Sequence, residues 1–306
     1  MTLDERRWPS LPLAAWSDTY VTLHMWTQIV GKIRLALAPH VNHWWEVALY
    51  VTVRGLTTSP IAYGDGAFEI AFDFIDHQLV IETSEGQRHT IALTPRPVAD
   101  FYQQLMGALR ELQIDVHIWP MAVEVPLPVR LDQDRQHASY DAEYAHRWWR
   151  ILLQIDAVLK EFRARFIGKS SPVHFWWGSF DLAVTRFNGR RAPGRENADA
   201  ITREAYSHEV ISAGFWPGGG AAAGATFYAY AAPEPAGFKT ARVSPAAVFY
   251  SSDFNQFILK YDDVRTASSP HDALLAFLQS TYEAGATLAN WNREELEAPA
   301  SAPKRI

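Results

Sequence analysis

The chain of 306 residues contains no cysteine. That absence removes disulfides, thiolate metal sites and cysteine nucleophiles together. No apolar run approaches the ~20 residues that a membrane span needs. A basic surplus is also lacking: net charge is −6, which speaks against a general nucleic-acid binder. Met1 to Ser10 carries Asp4, Glu5, Arg6 and Arg7 without an apolar stretch, so no secretory leader is expected. The expectation is a cytoplasmic protein with no nucleic-acid and no membrane partner. Catalytic signatures are missing too. Gly218-Gly219-Gly220 is not followed by the Gly-Lys-Ser/Thr of a phosphate loop. There is no Gly-x-Ser-x-Gly elbow and no His-Glu-x-x-His helix. Gly64-Asp65-Gly66 lacks the spacing of a calcium loop.

Aromatic residues are plentiful, with 12 Trp, 12 Tyr and 16 Phe. Such side chains build a large core or wall an apolar pocket. Hydrophobic periodicity gives the elements. Leu23, Trp26, Val30, Ile33 and Leu37 predict a helix over about 22–38, ended by Pro39. His43 to Arg54 reads as a strand closed by Gly55. Phe68 to Ile75 alternates with period two, and 78–82 with 89–93 reads as a hairpin. A helix follows Pro97. Three prolines between Pro120 and Pro128 predict an extended connector. A long helix is then expected over about 142–166, a strand run over 174–189, strands near 226–232, 247–251 and 256–261, and a last helix after Pro270.

The order repeats. The fold expected is α+β, with two similar halves, each helix–antiparallel strands–helix, and sheets covered by helices on one side. Residues 1–113 form the first half, 114–141 the extended connector, 142–293 the second half and 294–306 a disordered tail. The runs His43-Trp44-Trp45 and His174-Phe175-Trp176-Trp177 resemble one another, which suggests an internal duplication.

Three motifs carry a family resemblance. They are Thr19 to Lys32, His174 to Asp181, and Tyr206-Ser207-His208-Glu209-Val210 with Gly214-Phe215-Trp216-Pro217-Gly218. Together they resemble a bacterial family known as domain of unknown function 5996, over roughly Trp8 to Trp291. The resemblance implies a bacterial, cytoplasmic protein and supplies no activity.

Site candidates therefore come from the residues. Ser207-His208-Glu209 precedes a glycine-rich stretch. His208 and Glu209 would be a catalytic acid/base pair, although neighbours on a strand point to opposite faces. A polar loop is the plain alternative. His174 and Trp176 share one strand face, and His174 reads equally as a core histidine. Arg186, Arg190, Arg191 and Arg195 cluster, which suits an anion or a solvated basic turn. His24, Thr27, Gln28 and Lys32 form a polar helix face that lines a pocket or faces water. One reading gathers His174, Trp176, Arg186 and Trp216 with His208 and Glu209 around a small anionic ligand. A metal version uses His174, His208 and Glu209. The other reading is an interaction module, a homodimer formed through an aromatic face. No cofactor is indicated.

Overall fold

The computed structural model describes residues 7–219 and 223–299. Helix α1, Leu13–Leu37, opens the first half. A six-stranded sheet follows: β1 Tyr50–Val51, β2 Gly55–Thr57, β3 Ile61–Tyr63, β4 Gly66–Asp73, β5 Gln78–Thr83 and β6 Arg88–Ala92. Its order is β1-β2-β4-β5-β6, with β3 also on β4 and every pair antiparallel. Helix α2, Val98–Glu111, closes this half. The second half begins with α3, Ala142–Ala164. Its sheet contains β7 His174–Trp176, β8 Asp181–Arg191, β9 His208–Trp216, β10 Thr226–Ala232, β11 Phe249–Ser251 and β12 Gln256–Lys260. The order is β11-β12-β10-β9-β8-β7, again antiparallel. Short helix α4, Ala200–Ala205, joins β8 to β9. Helix α5, Tyr261–Arg265, leads into α6, Pro270–Leu288. The chain is thus α+β, each half running helix, antiparallel strands, helix.

Local chemistry sets the helix starts. Asp141 caps α3 by accepting the Tyr144 N–H at 3.1 Å, and Ser269 caps α6 with Pro270 in its first turn; such caps contribute about 1 kcal/mol each. Helices α3 and α6 cover one face of the second sheet. The halves share one apolar core, which includes Trp8, Trp26, Trp148 and Trp291. Trp148 packs on Trp16 and Phe74 of the first half and on Phe175 and Phe180 of the second, with ring centroids 4.8–6.3 Å away. The sheets also meet edge to edge. Leu49, just before β1, exchanges both backbone hydrogen bonds with Phe175 of β7, at 2.9 and 2.8 Å.

Some expectations differ from the structure. Of the run His43 to Arg54 only Tyr50–Val51 is strand: Asn42–Val47 is a 3-10 turn, with left-handed backbone at His43 (φ 62°) and Trp44 (φ 59°). An extended strand cannot contain such residues, so this run and His174–Trp176 differ in local structure. The run 174–189 is broken by the turn Trp177–Phe180, closed by Phe180 N–H to Trp176 O at 2.7 Å. Residues 208–216, read partly as a loop, form a central strand. Of the tail, Arg293–Leu296 is a helical turn and Glu297 bridges to Phe166. Residues 300–306 lie outside the described residues, as do 1–6 and Gly220.

Candidate functional site

Helices occupy one face of the second sheet, and polar side chains gather on the other. Strand alternation and register define that face row by row. Trp176 pairs with Asp181, and the β8–β9 register continues to set Trp216 opposite Asp181. The next row is His174, Ala183, Gly214 and Tyr228. Thr185, Ser212 and Tyr230 follow, then Phe187, Val210 and Ala232. Asp181 therefore stands between two tryptophans.

Asp181 is buried, and its carboxyl is charged only at a cost. Ser179 Oγ–H donates to Oδ1 at 2.5 Å and the Tyr228 hydroxyl donates to Oδ2. Burial pushes the pKa of Asp181 up against these hydrogen bonds. Tyr228 reaches Asp181 by crossing β9 at Gly214. A Cβ on Gly214 would lie 2.5 Å from the Tyr228 hydroxyl and 2.6 Å from the Leu182 carbonyl, so the strand glycine marks a close approach. Tyr228 itself is raised well above the usual tyrosine range, by burial and by the Asp181 charge.

The connector supplies a second carboxyl. Glu124 adopts a left-handed backbone (φ 54°), which is costly for a residue with a Cβ. Gln28 holds it there: its Oε1 accepts Val123 N–H and its Nε2 donates to Val123 O, both at 2.8 Å. Glu124 lies over Gly178, where a Cβ would come within 2.3 Å of its Oε1. Desolvation, then the Asp181 charge, raise its pKa, while a hydrogen bond with Ser179 opposes them. Its side chain nevertheless keeps contact with solvent. The series Glu124–Ser179–Asp181–Tyr228 thus runs from an open end to a closed one.

Helix α1 packs over the closed end. His24 Nε2 donates to the Gly178 carbonyl at 2.8 Å. Burial lowers its pKa to about 4, so the ring is neutral at neutral pH. Tyr20 stacks on His24 and meets Phe180 edge-on at 5.1 Å. Its hydroxyl accepts from the Trp216 indole, while burial above all, with the Asp181 charge, pushes its pKa up to about 12. Further along the face, Tyr230 and Tyr206 hydroxyls meet at 3.0 Å and Thr185 and Ser212 at 2.9 Å. The polar face of α1 is therefore buried: His24 and Gln28 hold the turn at Gly178 and the connector at Val123.

The residues singled out in the sequence fall in several places. Trp176 and Trp216 flank Asp181. His174 is one row away, fully buried, with both ring nitrogens lacking a hydrogen-bond partner among the described residues; burial pushes its pKa down to about 3. His208 stands on the same face beyond Phe187, its ring edge-on to His43 at 5.6 Å. Arg186 and Glu209 point to the opposite face. Arg186 is fully buried, its guanidinium 3.5 Å from the Phe162 ring centroid and 4.2 Å from that of Tyr282. Glu209 is held by Asn188 at 2.6 Å and Arg190 at 2.7 Å, and lines a small cavity of about 150 Å³ with Pro233 and Trp291. The gathering of all six residues, and the metal set of His174, His208 and Glu209, does not form, because alternation separates Arg186 and Glu209 from the histidines. Among the described residues, no group of three or more His, Asp or Glu is arranged to hold a metal. No helix among them is long and apolar enough to cross a membrane.

Sequence reading missed Glu124, Ser179, Asp181, Tyr20 and Tyr228. Two signals were present: Tyr228-Ala229-Tyr230 puts two phenols on one face, and Gly214 interrupts an apolar strand. Residues 8–298 match a family model described as a family of unknown function, DUF5996. Neither the comparison with curated proteins nor that with solved structures returned a match.

Proposed function

The chain belongs to the DUF5996 family, and we propose that it binds a neutral, hydroxyl-bearing ring compound at Asp181 and performs acid–base chemistry on it. One observation carries this reading. Two carboxyls gather at Ser179: its hydroxyl gives its single proton to Asp181, and Glu124 stands beside it over Gly178. With that proton spent on Asp181, the Ser179 oxygen is left to accept one from a protonated Glu124. Both carboxyls are raised in pKa, Asp181 by burial and Glu124 by burial and then by the Asp181 charge. Glu124, at the solvent side, is the natural acid. It gives its proton to a ligand oxygen, while Ser179 and Tyr228 keep Asp181 as the compensating carboxylate.

The flanking Trp176 and Trp216 offer flat apolar surfaces, and Tyr228, Tyr230 and Tyr206 offer hydroxyls for orientation. An anionic ligand fits this end poorly, because it would meet a carboxylate while Arg186 faces away. The extents of the halves, 1–113 and 142–293, with a connector between them, and the cytoplasm as compartment belong to the same reading. A duplication is supported by the common element order of the halves.

The test is a thermal-shift screen of neutral monosaccharides, disaccharides and cyclic polyols at about 10 mM, a range that detects millimolar affinity. A hit should disappear in Glu124→Gln and Asp181→Asn. Glu124→Gln should melt no lower than wild type above neutral pH. The native state holds the raised Glu124 proton more tightly than the unfolded chain, so that stabilisation is present at low pH and lost as pH rises through the folded value; an amide has nothing to lose there. Asp181→Asn should melt lower, because its amide offers one acceptor oxygen to the two hydroxyls of Ser179 and Tyr228. Absence of any hit, or hits of equal size in both variants, overturns the reading.

A further inference from the structure

At the far end of the same sheet face, four rows from Asp181 along β9, four basic side chains meet. Arg191 at the end of β8 pairs with His208 at the start of β9. The Lys169 ammonium lies 4.9 Å from the Phe187 ring centroid and 5.2 Å from that of Trp45. His43 Nδ1–H donates to Glu204 O at 3.1 Å, which leaves Nε2 to accept from Lys169 Nζ at 2.8 Å. That bond uses one of three ammonium hydrogens and leaves two. The left-handed backbone of His43 and Trp44, strained for residues with a Cβ, accompanies the contact of the imidazole with Lys169.

The acids nearby are turned elsewhere. Glu204 binds His40 Nε2 at 3.0 Å and the His43 N–H at 3.2 Å. Glu46 binds His40 Nδ1 at 2.9 Å and the Val41 N–H at 3.1 Å. Among the described residues neither Lys169 nor Arg191 has a carboxylate within ion-pair distance. Like charges gathered without a counter-charge repel unless an anion joins them. The pKa values of His43 and His208 are lowered in keeping with this: burial is the main cause, and neighbouring cations add to it, Lys169 for His43, and Arg191 with Lys169 for His208.

We infer that Lys169, Arg191, His208 and His43 form a second binding site, for a phosphate-sized oxyanion, separate from the Asp181 site. Lys169 supplies two donors, Arg191 a planar fork and His208 a third group that gains a proton when the anion arrives. The Trp45 and Phe187 rings hold the lysine in place when the site is empty. The anion suggested by the arginine-rich sequence thus finds its donors in Arg191, Lys169 and His208, while His43 steadies the lysine.

Inorganic phosphate is the probe. Full-length protein is titrated with it up to about 20 mM at constant ionic strength, a range that resolves millimolar binding, and the imidazole resonances of His208 are followed by NMR. Saturable movement, with an upward shift of the His208 titration midpoint, is expected. Lys169→Gln and Arg191→Gln should each weaken binding about tenfold, which is about 1.4 kcal/mol. Both side chains are exposed, so folding should be kept. Arg190→Gln, on the opposite face, should leave it unchanged. Movement that never saturates, equal movement with sodium chloride, or undiminished affinity in both Lys169→Gln and Arg191→Gln would overturn the site.

Discussion

His174 sits in a shell of rings: Trp45, Tyr50 and Trp176 each present an edge within 5.0–5.8 Å. Protonation there has no partner to stabilise it. The folded ring titrates near 3, the ordinary one near 6.5. Below 6.5 the unfolded chain takes up a proton that the native ring refuses, so stability falls with acid down to about 3 and is flat above 6.5. His24, near 4, acts in the same sense. His174→Phe should remove its share of the slope, sparing about 2 kcal/mol between pH 6.5 and 5. Urea unfolding at both pH values measures this, and an unchanged acid slope would exclude it. The sequence placed His174 and Trp176 on one face by alternation alone. It could not place Asp181 with Glu124, because 57 positions separate them and long-range contacts such as the Gln28 grip on Val123 bring them together.

At the scale of elements, periodicity found the long helices, the second-half strands at 226–232 and 256–260, and the hairpin of β5 and β6. It left the start of β9 open between a polar loop and a strand, and the strand that forms carries Gly214 within it. Within the sheet that glycine is the passage through which Tyr228 reaches β8. Gly214→Ala should push the phenol off Asp181 and crowd the Leu182 carbonyl, costing about 1–3 kcal/mol as for other overpacked sites. Denaturant melts and a change in tyrosine absorbance would report both effects. A variant as stable as wild type, with an unaltered spectrum, would show that the strand tolerates a methyl there. The 43–54 run was misread for a related reason. Its composition favours a strand, but left-handed residues at His43 and Trp44 depend on contacts with α4 and Lys169 that no local pattern encodes.

For the whole molecule, the repeated element order was legible in the sequence, but how the two sheets meet was not. The Leu49–Phe175 bridge and the shared packing around Trp148 both join residues distant in the chain. Such a core should unfold as a unit. Trp148→Ala is expected to cost about 3–5 kcal/mol and still give one transition, coincident by circular dichroism and fluorescence. Two separated transitions in wild type would mean that the halves are energetically independent.

Gln28 belongs to the first helix, Glu124 to the connector and Asp181 to the second sheet. A truncation starting at residue 142 would retain the aspartate and its two tryptophans while discarding the proton donor and the amide that steadies it. The amino-terminal portion is therefore a working component of the catalytic apparatus proposed for the other portion, and neither piece alone contains the reactive pair.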